Sequence, residues 1–263
     1  MNYERIRFER DARVATITLD RPDKRNAMND EMRAEFLHAL EQVDRDRDIR
    51  ALVLTGSGKA FCAGGDIAGM RARLSAPAGE VGIHGWHRQQ GVHKVQALLH
   101  GLAKPTIAAV NGAAAGLGAD TALACDFVMA SEQASFSWSY VLRGIVPDGG
   151  GLYFLPRRTG LARAKELIFT GRKVDCDEAL ALGIVDRVCG AGELLERARA
   201  WARELCEASS TALALAKGLL NRSFESGVHE VFTQGSLAQG ICYTSTEHRD
   251  AVQAFLSRST AKE

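Results

Sequence analysis

Three times in this chain a short apolar run leads into a loop of small residues around a single carboxylate, and that recurrence limits the folds open to it. The loops are Phe61-Cys62-Ala63-Gly64-Gly65-Asp66-Ile67, Asn111-Gly112-Ala113-Ala114-Ala115-Gly116-Leu117-Gly118-Ala119-Asp120 and Val146-Pro147-Asp148-Gly149-Gly150-Gly151. Small residues let the main chain come close to a ligand. N–H groups exposed where a loop enters a helix form a site for an anion or a developing oxyanion. Spacing excludes the two common phosphate loops. Val53 stands where a Walker loop ending at Gly58-Lys59 needs its first glycine, and Thr121 stands where a dinucleotide fingerprint begun at Gly116 needs its third. Taken singly, each loop also reads as a tight turn or a close helix contact.

Around the loops, strand and helix patterns alternate. Residues 3–8 and 13–19 alternate toward apolar side chains across Arg10-Asp11-Ala12, which predicts a β-hairpin ended by Asp20-Arg21-Pro22-Asp23. Asn29 stands at a cap position, with Asp30 and Glu31 suited to the positive end of a helix dipole and Met32, Phe36, Leu40 and Val43 at helical spacing. Residues 51–55 and 106–110 read as short apolar strands, closed by Gly56-Ser57-Gly58 and Asn111-Gly112. Residues 70–91, rich in Gly, Ala, Pro and His, read as an irregular, mobile flap over the loops. After Val185 helical spacing dominates, at 193–207, 212–224 and 247–256. A boundary near residue 190 divides a mixed β and α part, 1–190, from a helical part, 191–263.

Composition narrows the function classes. With 263 residues, 46% hydrophobic and 25% charged, the chain can bury a sizeable core. Its 33 Lys and Arg against 32 Asp and Glu leave a net charge of +1, no global field for nucleic acid or an anionic membrane, so an anionic ligand must be met locally. No basic-then-apolar leader opens the chain and no apolar run approaches the roughly 20 residues of a membrane span, so the expected compartment is the cytoplasm. Cys62, Cys125, Cys176, Cys189, Cys206 and Cys242 are scattered, without the close pairs of a zinc site or redox couple, and read as reduced. Cys62 stands apart because it lies within a glycine loop.

Six ordered segments together resemble the crotonase, or enoyl-CoA hydratase and isomerase, superfamily over nearly the whole chain. They are residues 21–28, 59–67, 104–112, 124–127, 144–150 and 169–171. The resemblance implies an α/β fold, a crotonase-like ββα superhelix over 1–190 that carries an acyl-CoA site, with a C-terminal helical trimerisation region over 191–263. It implies a homotrimer or dimer of trimers, and no cofactor beyond the coenzyme A carried by the substrate. It also implies that the amides of Gly65 and Leu117 bind the thioester oxygen. Leu117 departs from the family's usual glycine; its main-chain donor is kept, while its side chain is expected to narrow the acyl pocket. Lys24, Arg25, Ala27, Ala63, Asp66 and Ile67 match the segments that hold the nucleotide and pantetheine, and Lys24, Arg25 and Lys59 are phosphate partners by charge.

The same resemblance bears on the reaction. Hydrating members use two glutamates, at positions occupied here by Asp120 and Tyr140, and a tyrosine with an ordinary pKa of about 10 is a poor base near neutral pH. Asp148 lies eight residues beyond Tyr140, where dienoyl-CoA isomerases and ring-isomerising relatives carry a catalytic aspartate. Asp148 is therefore the expected base of a double-bond shift through an enolate held by Gly65 and Leu117. Asp120 serves as a second acid or base, or orients a neighbouring group. Hydration, acyl-CoA hydrolysis or dehalogenation with Asp148 as nucleophile, and acyl-CoA binding without catalysis are the alternatives. Trp138 and Trp86 are expected to line the acyl pocket or core, Tyr140 lying beside Trp138. His84, His87 and His93 fall on the flap; no Cys or carboxylate cluster completes the His84 and His87 pair, so no metal is expected.

Overall fold

The computed structural model describes residues 2–67, 69, 71, 75, 77 and 79–260. Strands β1 (Ile6–Asp11) and β2 (Val14–Leu19) form the expected antiparallel hairpin, closed at Ala12 with φ 50°. Helix α1 (Asp30–Arg45) begins where the cap pattern places it: the Asn29 side chain accepts the Met32 N–H at 3.0 Å. Met32, Phe36, Leu40 and Val43 all reach the core.

Strands β3 (Ala51–Gly56), β5 (Thr106–Val110), β7 (Phe127–Ser131) and β10 (Arg187–Cys189) extend the hairpin into a six-stranded sheet, order β1-β2-β3-β5-β7-β10. Every pairing from β2 onward is parallel. After β3, β5 and β7 the chain turns at once into a short strand of a second sheet: β4 (Ala60–Cys62), β6 (Ala113–Ala115) and β8 (Ser135–Ser137), joined by β9 (Lys173–Asp175) in the order β4-β6-β8-β9. Helices follow these pairs: α2 (Val81–Gly101), α3 (Leu117–Leu123) and α4 (Gly151–Thr159). This is the ββα superhelix. Helices α5 (Leu161–Thr170) and α6 (Cys176–Ala181) flank β9.

The inner strands β2, β3, β5 and β7 are buried on both faces, and alternation sorts their side chains. Leu52, Leu54, Ala108 and Val110 pack into the large core with α1 and α2, whereas Ala51, Val53, Ile107 and Ala109 pack against Leu194, Ala198, Trp201 and Ala202. Those last four lie on α7 (Leu194–Cys206), which closes the second face. After Cys189 the chain is helical, and its exposed helices begin after Cys206. Helices α8 (Ser210–Leu220), α9 (Val228–Thr244) and α10 (Thr246–Thr260) follow, and neither α8 nor α9 buries a residue. Their side leaves Leu220, Phe224, Phe232, Leu237 and Ile241 exposed. Among the described residues no helix is long and apolar enough to cross a membrane.

The flap expectation needs correction. Val81–Gly101 is one 21-residue helix, although Gly82, Gly85 and Gly91 weaken its helical signal. Its buried residues Val92, Val95, Gln96 and Leu99 recur at helical spacing, so tertiary packing overrides propensity. Gln96 Nε2 donates to Thr121 Oγ1 at 2.8 Å, fixing α2 to α3. Residues 68, 70, 72–74, 76 and 78, which also belong to that stretch, lie outside the described residues.

Candidate active site

The first and second glycine loops meet without side chains between them. The Met28 N–H donates to Gly64 O at 2.7 Å and the Asp66 N–H to Met28 O at 3.2 Å, so Gly65 is held flat against residues 27–28. A methyl built on Gly64 lies 2.7 Å from Ala115 O and 3.5 Å from Leu117 N, and one built on Gly118 lies 2.1 Å from Cys62 O. Helix α3 can rest on β4 this closely only because residue 118 lacks a Cβ. Among the described residues neither the Gly65 N–H nor the Leu117 N–H has a hydrogen-bond partner. Two neighbouring free amides, one of them opening a helix, suit a carbonyl oxygen that gains negative charge. The Leu117 side chain is 6% exposed and turns under Gly149, so it packs inward.

The two carboxylates differ in environment. Asp120 is wholly buried: Trp138 Nε1 donates to Oδ1 at 2.9 Å and the Tyr140 hydroxyl to Oδ2 at 2.6 Å, and the Gly151 backbone packs against the same carboxylate. Burial pushes its pKa up to about 7 against the opposing pull of these donors. Burial and the adjacent Asp120 carboxylate hold Tyr140 well above the usual phenol range. Asp148 stands one turn before α4 with its side chain 27% exposed. Partial burial raises its pKa, while the charges of His93 and Arg88 act in the opposite direction. His93, on α2, donates from Nε2 to Asp148 O at 3.1 Å and places the same nitrogen 4.0 Å from Asp148 Oδ2.

Comparison with known proteins gives this geometry a family. A sequence model described as enoyl-CoA hydratase/isomerase matches residues 9–262. The chain belongs to that family. It is 34% identical to a short-chain-enoyl-CoA hydratase of Clostridium acetobutylicum, covering 98% of this chain and 97% of the relative. It is 35% identical to the 1,2-epoxyphenylacetyl-CoA isomerase of Escherichia coli, covering 93% and 92%. The crystal structure of an enoyl-CoA hydratase/isomerase from Cupriavidus metallidurans superposes with a TM-score of 0.91 at 38% identity, over 98% of this chain and 95% of that one.

Within this family fold, the segments matched to CoA recognition come together. Lys24 ends a short 3-10 turn; Arg25 and Asn26 follow in left-handed conformation, φ 51° and 56°, and the Ala63 N–H donates to Arg25 O at 2.9 Å. Asn26 makes this backbone possible: its buried amide donates to Ser57 O and Ala60 O and accepts from the Arg21 N–H. Lys24, Arg25, Lys59 and Ala63 are exposed, Ala27 is half-buried beside them, and Ile67 is 69% exposed. Asp66 has a structural partner that sequence reading missed: Arg21 Nη1 meets its Oδ2 at 2.9 Å and also donates to Ala27 O.

The aromatic residues separate by burial. Trp138 is wholly buried, within the core as one of its two expected places; its indole donates to Asp120, as does the hydroxyl of the nearly buried Tyr140. Phe136, Trp138 and Tyr140 are all buried at every second position from β8 into the turn that follows, and that spacing of aromatics is the sequence signal that could have revealed this pairing. Trp86 is exposed and meets the His87 ring edge-on, and His84 lies near Glu80 at 3.8 Å, so of the three histidines only His93 contacts a site carboxylate residue. Cys62 is buried with its thiol pushed up to about 11, which removes it as a nucleophile near neutral pH. An apolar cavity of about 410 Å³ lies elsewhere, between α4, α8 and the sheet, lined by Leu123, Phe154, Leu213 and Phe224.

Proposed function

We propose that this chain moves a double bond along the acyl group of an enoyl-CoA thioester, with Asp148 as the single proton carrier. The observation that carries this reading is the contrast between the carboxylates. Asp148 is open to solvent on the loop whose Gly149 packs against the Leu117 side chain, whereas Asp120 is sealed. Hydration by paired carboxylates needs both to reach the substrate or its water, and a sealed Asp120 speaks against that.

In the proposed reaction the thioester oxygen accepts the Gly65 and Leu117 N–H groups. The Asp148 carboxylate takes an acidic proton from the acyl chain, and the electron pair delocalises into a dienolate whose charge rests on the held oxygen. The Asp148 carboxyl, open to exchange with solvent, then gives a proton back at another carbon, restoring the thioester and the carboxylate. Each well-aimed amide contributes about 3 kcal/mol to the enolate and the positioned base a factor of about 10²–10⁴. The raised pKa of Asp148 makes it a stronger base than a free aspartate. The enzyme works in the cytoplasm as a homotrimer or dimer of trimers, with the exposed apolar residues of α8 and α9 at subunit contacts. It needs no cofactor beyond the coenzyme A of its substrate.

His93 beside Asp148 favours one second reading, acyl-CoA hydrolysis, in which Asp148 attacks the thioester carbonyl, the C–S bond breaks and CoA leaves as a thiolate, and the imidazole then takes a proton from the water that splits the resulting anhydride and passes it to that thiolate. Incubation in D₂O with 3-enoyl, 2-enoyl, dienoyl and ring-bearing CoA thioesters, followed by NMR and mass, separates the possibilities. Deuterated, double-bond-shifted products that vanish in Asp148→Asn support the proposal. Addition of water replaces it with hydration, release of free CoA with hydrolysis, and binding without turnover with an acyl-CoA binder.

A further inference from the structure

We infer that Asp120 is a positioning residue that locks the Leu117 amide to the loop carrying Asp148, and that it exchanges no proton with substrate. The inference rests on the reading of Asp148 as the base and concerns what holds that base in place.

Asp120 lies three residues after Leu117 on α3, so its backbone moves with the oxyanion amide. Its carboxylate lies against Gly149 and Gly151, one and three residues after Asp148. One side chain thus links the two parts of the reaction centre. The loop rests directly on it: a methyl on Gly149 lies 2.7 Å from Asp120 Oδ2, and one on Gly151 lies 2.5 Å from Oδ1. Glycine at both positions is what allows this approach. Trp138 and Tyr140 fix the carboxylate from the remaining sides, and together with the loop they cover it completely. A group that is completely covered and already held by the Trp138 and Tyr140 donors has no reach to a substrate proton. It is, however, well placed to set the distance between the amide and the base, where a shift of about 1 Å costs on the order of 10²-fold in rate.

The test compares Asp120→Asn and Asp120→Ala with the parent. Measurements are kcat and KM on the thioester turned over in the D₂O panel, binding of a saturated acyl-CoA, thermal melting, and amide hydrogen exchange by mass spectrometry. Asn can keep the fixture, since its oxygen accepts from Trp138 while its NH₂ donates to a rotated Tyr140 hydroxyl. The expected results are a fall in kcat of about 3–10-fold for Asn and at least ~100-fold for Ala, with KM little changed in both. Faster exchange at residues 147–152 is expected in Ala alone. A kcat for Asp120→Asn as low as that of Asp148→Asn, with melting and exchange like the parent's, makes Asp120 an acid or base and overturns the inference. An Asp120→Ala enzyme that melts earlier but keeps parental kcat below its melting point overturns it too, leaving Asp120 a stability residue. Should the parent turn over no thioester, the double-bond reading fails by itself. The exchange experiment still decides whether Asp120 orders the loop: unchanged exchange in Ala rejects the inference, and faster exchange confined to 117–119 and 147–152 upholds it.

Discussion

Substituting Gly118 by alanine tests the oxyanion site through its narrowest contact. The added methyl meets Cys62 O at 2.1 Å, Cys62 Cβ at 2.7 Å and Cys62 C at 2.8 Å. Ordinary carbon-to-oxygen contacts begin near 3.3 Å, so α3 and β4 must separate by about 1 Å. The atoms met are mostly main chain of a buried strand, which cannot swing aside as a side chain does. Because Leu117 adjoins Gly118 and Gly65 lies three residues beyond Cys62, the separation opens the gap between the two amides by a similar amount. Misaiming one donor costs about 10²–10³ in kcat. Overpacking costs about 1–3 kcal/mol of stability, with melting lowered by roughly 2–4 °C per kcal/mol in a chain of this size. The atoms nearest the added methyl all belong to Cys62 and none to residues 24–28 or 63, so binding of a saturated acyl-CoA is expected to stay within a few-fold of the parent. Steady-state kinetics, calorimetric binding and a thermal melt on the same preparation give the three quantities. A Gly118→Ala enzyme within twofold of the parental kcat would falsify the assignment of the Leu117 amide to the oxyanion site.

Replacing Asp148 by asparagine is expected to lower kcat at least ~100-fold while acyl-CoA binding survives; unchanged turnover removes Asp148 from the chemistry. The same substitution should raise the melting temperature near pH 7: a carboxylate whose folded pKa is raised loses stability as pH rises through that pKa, and the neutral amide avoids this loss. A lower melting temperature contradicts the desolvation argument. Since the His93 charge lowers the Asp148 pKa, His93→Ala should move the acid limb of the kcat profile to higher pH, and a shift to lower pH is the contrary result. Asp120, raised from 3.8 to about 7 by burial, contributes stability that is present below about 4 and lost as pH rises through 7. Melting scans of the parent against Asp120→Asn should therefore converge toward low pH and diverge toward pH 8.

Much of the fold was legible in local chemistry. The Asn29 cap, the apolar spacing of α1, the hairpin and the short strands ending in glycine follow from propensities acting over a few residues, and the structure keeps them. Ordered motifs located the Gly65 and Leu117 amides because a glycine loop announces a close main-chain approach whatever it approaches. The helix over 81–101 was hidden: its signal lies in Val92, Val95 and Leu99, while the preceding glycines and histidines pull toward irregular chain. Only packing on α1 and α3 resolves that conflict.

The sequence by itself determined which backbone segments come near a ligand and which carboxylates are available, since these depend on residue type and short-range spacing. Tertiary structure alone decided which carboxylate is exposed. Asp120 and Asp148 are the same chemical group in similar glycine-rich surroundings, and their difference arises from Trp138, Tyr140 and Gly151 closing over one of them. Burial and donor geometry are sums over residues far apart in the chain, and so are the placement of His93 at Asp148 and of Arg21 at Asp66. No local pattern encodes those sums, because each depends on how separate elements are brought together by the shared core.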